Sequence, residues 1–295
     1  MITLHSLRQK FAVTAMLAMA ALPASAIEVV TSVKPLQLVA AAITDGITEP
    51  EVLVPANASP HHYVLKPSDM RKLMAADLVL WVGPDMEVAM AKPISRTEAV
   101  KVQLLEDSGE DHSGHDHGEH HHETDPHIWM DPAQMLTAAE TLATELEKLL
   151  PEQQERLQQN YQQFAMQVVR LDREMQQQMA VLQGKGFFTF HDAYQRLFDR
   201  YGLNQLGYFT VDPGRKPGAR KLNEIRQALK QKKAVCVFSE PQFEDKIISA
   251  VVKDPEIRIG ELDPLAREVA VTAQGYPEFI RGLGNQISAC LIGKS

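Results

Sequence analysis

The chain has 295 residues, of which 44% are hydrophobic and 23% are charged. This composition is typical of a folded globular protein and excludes a wholly disordered chain, a collagen-like chain and a disulfide-dense miniprotein. Lys and Arg number 30 against 38 Asp and Glu, a formal net charge of −8, which disfavours nucleic acid or anionic lipid as the partner. The length predicts two domains or one long fold around a single core.

The first 26 residues have the features of an export signal. Arg8 and Lys10 precede the apolar run FAVTAMLAMAALP, and Ala24-Ser25-Ala26 forms a cleavage motif of the A-x-A type. Together they predict a secretory signal peptide that is cleaved after Ala26. The alternative, a membrane anchor, is disfavoured because the apolar run is too short to span a bilayer comfortably.

Export would place the two cysteines in an oxidising compartment. Cys236 lies in the apolar run AVCVF and Cys290 in the final helical stretch NQISACLIG. This wide spacing does not fit a zinc knuckle or a redox CxxC motif. We expect a disulfide between Cys236 and Cys290; the alternative is two separate buried thiols.

Apolar runs that are typical of strands alternate with helical stretches through the mature chain. Strands are predicted at 27–33, 51–55, 78–82 and 100–105, and again at 187–190, 206–210, 234–238 and 257–262. Short strands separated by helices indicate βαβ units and mostly parallel sheets. The predicted fold class is therefore α/β, with two lobes that each contain a mostly parallel sheet flanked by helices.

A long helical stretch separates the two sets of strands. Asp131-Pro132 is a helix-start signal, and the chain from Pro151 to Gly184 contains no other Pro or Gly. About 33 residues would form a helix about 50 Å long. A coiled-coil dimer is the alternative, but strands resume directly afterwards, which favours a helix that joins two lobes. The predicted organisation is a signal peptide at 1–26, an N-terminal lobe at 27–132, a helical linker at 133–184 and a C-terminal lobe at 185–295.

Three histidines occupy loop or strand-end positions in successive parts of the chain. His61 follows the second predicted strand in SPHHY, His127 precedes the capped helix in DPHIWMDP, and His191 directly follows FFTF. Ligands of open α/β sheets bind beyond the carboxyl ends of the strands, and three neutral imidazoles suit zinc. Taken singly, each would be an ordinary, partly exposed polar residue.

Two carboxylates also follow predicted strands. Asp263 in ELDPL is a candidate fourth, oxygen ligand, although a turn or helix cap before Pro264 explains it equally well. Glu240 in FSEPQF is interpreted as support for a ligand or as polar surface.

Several segments, in their order along the chain, now identify a family. They are TSVKPLQLVAAAI, SPHHYVLKPSD, LVLWVGPDME, HIWMDP, GFFTFHDAY, FSEPQF and ELDPL. The chain resembles the periplasmic zinc-binding protein of bacterial high-affinity zinc ABC importers, within the metal-binding class of solute-binding proteins. The resemblance implies that His61, His127 and His191 bind Zn²⁺ with Asp263 as the variable fourth ligand. Some zinc-binding members carry a Glu just before the first His, but Pro60 excludes that ligand here.

The resemblance also implies a function. The protein would be a periplasmic monomer without enzymatic activity that delivers Zn²⁺ to an inner-membrane ABC permease and its ATPase. Relatives that carry manganese tend to have Glu in place of His191, so a third nitrogen ligand favours zinc. A manganese- or iron-type protein and a zinc buffer without a transporter are the alternatives. A zinc hydrolase is disfavoured because no HExxH motif, catalytic carboxylate pair or nucleophile elbow is present.

A histidine-rich tract spans residues 111–125, DHSGHDHGEHHHETD. It contains six histidines: His112, His115, His117, His120, His121 and His122. Such tracts bind metals readily, so we expect auxiliary zinc binding. The tract also resembles the charged histidine-rich loop of zinc-uptake proteins, which implies that it passes zinc to the main site; the alternative is a solvated insertion that binds zinc but adds nothing to uptake. Because zinc binds neutral imidazole, we expect affinity to fall as the pH drops through about 6.5.

Overall fold

The computed structural model describes residues 27–106 and 125–293, except for four positions: Arg215, Lys232, Glu244 and Asp245. The predicted signal peptide and all of the histidine-rich tract except Asp125 lie outside the described residues. Within the described ranges, no helix is both long enough and apolar enough to cross a membrane.

The first half of the chain forms a four-stranded parallel sheet with three helices. Its elements are β1 (Val29–Thr31), α1 (Lys34–Ile43), β2 (Glu51–Val52), α2 (Pro67–Ala75), β3 (Leu78–Trp81), α3 (Val88–Ser95) and β4 (Val100–Gln103). The strand order is β2-β1-β3-β4. All four side chains of β3 are buried, which is why this strand is a continuous apolar run. The sequence did not predict α3, because Pro93 lies inside it and proline normally interrupts a helix.

Two long helices connect the halves. A short 3₁₀ turn (Ile128–Met130) leads into α4 (Pro132–Leu149), and a second turn (Pro151–Gln153) precedes α5 (Gln154–Ala180). Asp131 caps α4 as predicted, since its Oδ1 accepts a hydrogen bond of 2.9 Å from the backbone N–H of Ala133. At 27 residues, α5 is about 40 Å long rather than 50 Å, because the residues after Pro151 form the separate turn.

The second half repeats the architecture of the first. It contains β5 (Gly186–His191), α6 (Gln195–Tyr201), β6 (Gln205–Thr210), α7 (Ala219–Lys230), β7 (Ala234–Ser239), α8 (Lys246–Val251), β8 (Arg258–Glu261) and α9 (Gly275–Ile292). The strand order β6-β5-β7-β8 is that of the first sheet, and all pairs are again parallel. The predicted α/β fold with two parallel sheets and a long helix between them is confirmed. We refer to β1–β4 and β5–β8, with their helices, as the N-terminal and C-terminal lobes.

One hydrophobic core runs through both lobes. It extends from the first sheet through α4, α5 and α9 to one face of the second sheet, while a smaller core lies under α7 and α8. The last helix, α9, packs against both α1 and α5. A Cβ at Gly284 of α9 would stand only 2.6 Å from the Met175 sulfur of α5, so glycine permits this close approach. Because parting the lobes would expose this shared core, the packing favours small closures over wide hinge motion.

A disulfide ties α9 to the second sheet. The structure joins Cys236 of β7 to Cys290 of α9, with the Cα atoms 6.0 Å apart. Next to this bond, Arg258 of β8 donates hydrogen bonds to the carbonyl oxygens of Cys290 and Leu291. The disulfide thus fixes α9 to β7 covalently. Arg258 fixes α9 to β8, and its positive charge lies at the carboxyl end of α9, where the helix dipole favours a cation.

Candidate metal centre

The three predicted histidine ligands meet between the lobes. His61 lies in the loop after β2, His127 directly precedes the 3₁₀ turn, and His191 is the last residue of β5. One ring nitrogen from each lies within 4.8 Å of the other two, although the residues are 66 and 64 positions apart in the chain. Tertiary folding therefore assembles the cluster that the sequence predicted.

Two of the ring nitrogens have the separation expected for two ligands of one zinc ion. His61 Nε2 and His127 Nε2 are 3.3 Å apart. Zn–N bonds of about 2.05 Å at a tetrahedral angle place two nitrogens about 3.4 Å apart. The separation of these two nitrogens therefore matches that of two ligands of a tetrahedral zinc ion, and the third nitrogen lies within 4.8 Å of both.

Asp125 sets the orientation of His127. Its Oδ1 lies 2.7 Å from His127 Nδ1 and also accepts the backbone N–H of His127 at 3.0 Å. With the proton on Nδ1, the Nε2 lone pair of a neutral His127 faces the cluster centre. The hydrogen bond between the two Nε2 atoms then has His61 as its donor, so His61 must move its proton to Nδ1 before it binds a metal.

Burial favours the neutral form of two of the three imidazoles, His61 and His127. Burial lowers the pKa of His61 to about 3, helped by the neighbouring His127 and His191 rings. Burial also lowers the pKa of His127, although the bond to Asp125 opposes this effect. Burial alone would raise the pKa of Asp125, but the hydrogen bonds from His127 outweigh it and the net pKa is lowered. Asp125 is thus the ionised partner of its pair with His127. The neutral rings of His61 and His127 keep nitrogen lone pairs that can bind a cation.

His191 and Glu240 place unsatisfied polar atoms in the same pocket. Both residues are only 3% exposed, and His191 Nδ1 lies 3.6 Å from Glu240 Oε1. Neither ring nitrogen of His191 nor Glu240 Oε2 has a hydrogen-bond partner among the described residues. Since β5 and β7 are adjacent strands, both side chains lie at the carboxyl ends of one strand pair. Buried polar atoms normally have partners, so these atoms indicate a ligand that completes the site.

Apolar groups close the pocket from both lobes. Its lining includes Pro60 and Trp129 on one side and Pro213 and Pro264 on the other. The Trp129 indole donates a 2.8 Å hydrogen bond to the carbonyl oxygen of Pro264, which holds the two sides together. These walls contribute to the burial that lowers the pKa values of His61 and His127.

Asp263 does not join the cluster. Its Oδ1 lies 2.6 Å from Gln242 Nε2 and accepts the backbone N–H of Leu265 at 3.0 Å. Its Oδ2 accepts the backbone N–H of Arg267. The carboxylate therefore organises the turn after β8, which is the alternative that the sequence left open.

His62 points away from the three rings. Its Nε2 lies 2.8 Å from Asp212 Oδ1, and its side chain is 56% exposed. Asp212 belongs to the loop after β6, so this contact bridges the lobes at the solvent-facing side of the pocket. Of the two adjacent histidines, His61 is the one that lies in the cluster.

The sequence analysis did not single out Asp125 or Tyr194. Asp125 appeared only as the end of the histidine-rich tract; its position two residues before His127 was the available signal. The Tyr194 hydroxyl lies 3.1 Å from Glu240 Oε1 and from the carbonyl oxygen of Leu262. Nothing local in the sequence marks Tyr194, because its partners lie 46 and 68 residues away.

Comparisons with known proteins show the family of the chain. The family described as "Zinc-uptake complex component A periplasmic" matches residues 29–290. The chain belongs to this ZnuA family. The high-affinity zinc uptake system protein ZnuA of Haemophilus ducreyi is 41% identical over 288 residues, which cover 90% of this chain and 93% of the relative. The ZnuA protein of Yersinia pestis is 39% identical and covers 89% and 91%.

A solved structure shares the fold. The periplasmic zinc-binding protein TroA from Treponema pallidum superposes with a TM-score of 0.75 at 23% identity, covering 90% of this chain and 98% of TroA. The paired parallel sheets with a long helix between them are therefore the architecture of this structural class.

Proposed function

We propose that this protein captures Zn²⁺ in the pocket between its lobes and delivers it to an ABC permease for high-affinity uptake. The observation that carries the proposal is the pair of Nε2 atoms at 3.3 Å, with a third imidazole nitrogen within 4.8 Å of both. Membership of the ZnuA family supports the same function. The cation is cargo, so the site must bind it tightly and still release it.

In the proposed mechanism, His61 and His127 bind zinc through Nε2 and His191 closes the third side. His191 would also use Nε2, because its Nδ1 faces Glu240 at 3.6 Å. Shortening that separation to a hydrogen bond would orient His191 as Asp125 orients His127. Tyr194, which lies against Glu240, would hold the carboxylate in place.

Asp263 was the predicted fourth ligand, and for that position we favour water. Asp263 would first have to give up Gln242 and the backbone N–H groups that it now accepts. A water needs no such rearrangement, and three protein ligands with one open position are a known zinc arrangement.

The donor set supports zinc over manganese or iron. Three neutral imidazoles suit zinc, whereas the harder Mn²⁺ prefers oxygen ligands. Burial favours the neutral forms of His61 and His127, and the Asp125 carboxylate behind His127 would offset the charge of the ion. No catalytic step is assigned to the site.

The remaining parts of the proposal concern location and partners. We propose that the chain is exported with cleavage after Ala26, acts in the periplasm as a monomer, and loads a membrane permease driven by an ATPase. We further propose that the histidine-rich tract binds zinc as an auxiliary store. Residues 27–132, 133–184 and 185–295 would be the N-terminal lobe, the linker and the C-terminal lobe.

The test compares two histidines in a protein that lacks residues 107–124, so that only the pocket is measured. His191→Ala is expected to weaken zinc binding at least 100-fold in a chelator competition, because it removes one of three ligands. His62→Ala is the matched control and should change affinity by less than about fivefold. Unchanged tight binding by His191→Ala would show that His191 is not a zinc ligand and would refute the proposed three-histidine site.

Delivery needs a separate measurement in cells. A strain without the chromosomal gene is grown under zinc chelation with either the wild-type protein or His191→Ala. Growth restored by the wild type alone, and only when the permease gene is present, supports uptake. Growth restored without the permease would make the protein a zinc buffer.

A further inference from the structure

The segment around α7 is strongly basic in an otherwise acidic protein. Residues 214–233 contain eight Lys and Arg but a single acid, Glu224, whereas the whole chain has a net charge of −8. The described cations are Lys216, Arg220, Lys221, Arg226, Lys230 and Lys233. A patch of this density attracts an anionic partner.

These cations face solvent rather than the interior. Ile225 and Leu229 of α7 are buried in the smaller core, which turns the opposite side of the helix outward. Lys216 and Arg220 are exposed, and the Arg220 side chain is 94% exposed. Among the described residues, the ion pair recorded on this helix is Arg220–Glu224 at 3.1 Å. The surface therefore has a large excess of positive charge over its local acids.

The N-terminal end of this surface lies beside the metal pocket. The loop that leads from β6 to α7 contains Asp212, which contacts His62, and Pro213, which lines the pocket. Lys216 follows in the same loop, and Lys221 Nζ lies 4.7 Å from the centre of the Tyr208 ring on β6. We call Lys216, Arg220 and Lys221 the proximal cations. Arg226, Lys230 and Lys233 are the distal cations, since they follow toward the other end of the sheet.

The chain itself carries a segment with the opposite charge. Residues 107–124 contain six Asp and Glu, six His and no Lys or Arg. The segment leaves the N-terminal lobe after β4 and returns at Asp125. Eighteen residues span up to about 60 Å when extended, so its length does not restrict where it lies.

Asp125, the residue that follows the segment, is held against the C-terminal lobe. Arg196 of α6 donates a 2.8 Å hydrogen bond to the carbonyl oxygen of Asp125. Asp125 also contacts His127 of the metal pocket, and Pro213, from the same loop as Lys216, lines that pocket. The segment is therefore tethered close to the proximal cations, which gives it a high effective concentration at this surface.

We propose that the acidic, histidine-rich segment 107–124 docks on the proximal cations of α7. The contact is electrostatic and surface-exposed, so it weakens as salt shortens the screening length. It needs no zinc, and its failure would leave the proposed zinc capture untouched.

The test uses the full mature chain with a chelator and low salt. A carbodiimide cross-links carboxylates to lysines in direct contact, and mass spectrometry locates the links. We expect links from the segment to Lys216 and Lys221 to exceed those to Lys230 and Lys233 at least fivefold, and to disappear in 0.5 M salt. Equal links to all four lysines, or none, would overturn the proposal.

Charge-reversal variants give a second, independent measurement. Lys216→Glu/Arg220→Glu/Lys221→Glu removes the proximal cations, and Arg226→Glu/Lys230→Glu/Lys233→Glu makes the same charge change at the distal ones. We expect the proximal variant alone to speed cleavage of the segment by a glutamate-specific protease several-fold. Equal cleavage of both variants and the wild type contradicts docking. If the full chain binds anionic lipid vesicles as well as a chain without residues 107–124 does, the surface binds lipid instead and the proposal is wrong.

Discussion

The depressed histidine pKa values make a quantitative prediction for zinc binding in acid. A ligand with the ordinary imidazole pKa of about 6.5 is about 90% protonated at pH 5.5, so each such ligand weakens zinc binding about 11-fold and three weaken it about 1,000-fold. The pKa of His61 is lowered to about 3, so His61 remains neutral at pH 5.5 and contributes almost none of this loss. Burial lowers the pKa of His127 as well. We therefore expect the loss between pH 7.5 and 5.5 to be at least tenfold smaller than for three free imidazoles.

This result would revise the expectation from sequence that affinity falls as the pH drops through about 6.5. The assay is a competition titration of the protein without residues 107–124, using a chelator whose own protonation is corrected at each pH. A synthetic peptide of residues 107–124 is the control, since its imidazoles are free and should lose zinc steeply near pH 6.5. A thousandfold loss by the protein would refute the argument that burial keeps the pocket neutral. The lowered pKa of His61 also predicts that the zinc-free protein is destabilised in acid. Between about pH 3 and 6.5 the unfolded chain binds a proton at His61 that the folded chain does not. The free energy of unfolding should therefore fall as the pH drops below 6.5.

Three further predictions concern groups around the site. Asp125→Asn keeps the side-chain shape but removes the charge behind the second imidazole ligand, and should weaken zinc binding about 10- to 100-fold; an unchanged dissociation constant would show that this hydrogen bond does not tune the ligand. His62→Ala and Asp212→Asn, combined in a double-mutant cycle, should show a coupling below about 1 kcal/mol in zinc affinity because the pair is exposed; a larger coupling would make the bridge part of the binding site. Replacing Cys236 and Cys290 with Ser opens a loop of 54 residues and should cost about 4 kcal/mol of unfolding free energy in urea titrations, while two reactive thiols in the unreduced wild-type protein would argue against the bond.

Local patterns determined the secondary structure and much of the topology. The burial of a strand on both faces requires a continuous apolar run, which is why LVLW and AVCVF were recognisable as strands. Asp131 before Pro132 marked the start of α4, because capping depends only on neighbouring backbone groups. The sequence did not predict α3, because Pro93 lies inside it and proline is unfavourable within a helix.

The sequence analysis named the three histidines and offered Glu240 as support for a ligand, whereas it did not single out Asp125. Asp125 contacts His127 only two residues further along the chain, which is a local signal that the sequence analysis did not use. Asp263 accepts the backbone N–H groups of Leu265 and Arg267 in its own turn. Only tertiary packing, in contrast, brings His61, His127 and His191 together. Distances between residues that lie far apart in the chain depend on how the whole core packs.

The sequence by itself determined that the chain alternates strands and helices, resembles a zinc-uptake protein and carries three imidazoles at strand ends or loops. Tertiary structure alone decided that two of those rings meet at the distance tetrahedral zinc requires, and that burial keeps them neutral. The physical reason is that ligand identity is a property of single residues, whereas burial and ligand spacing arise only when the two lobes pack together.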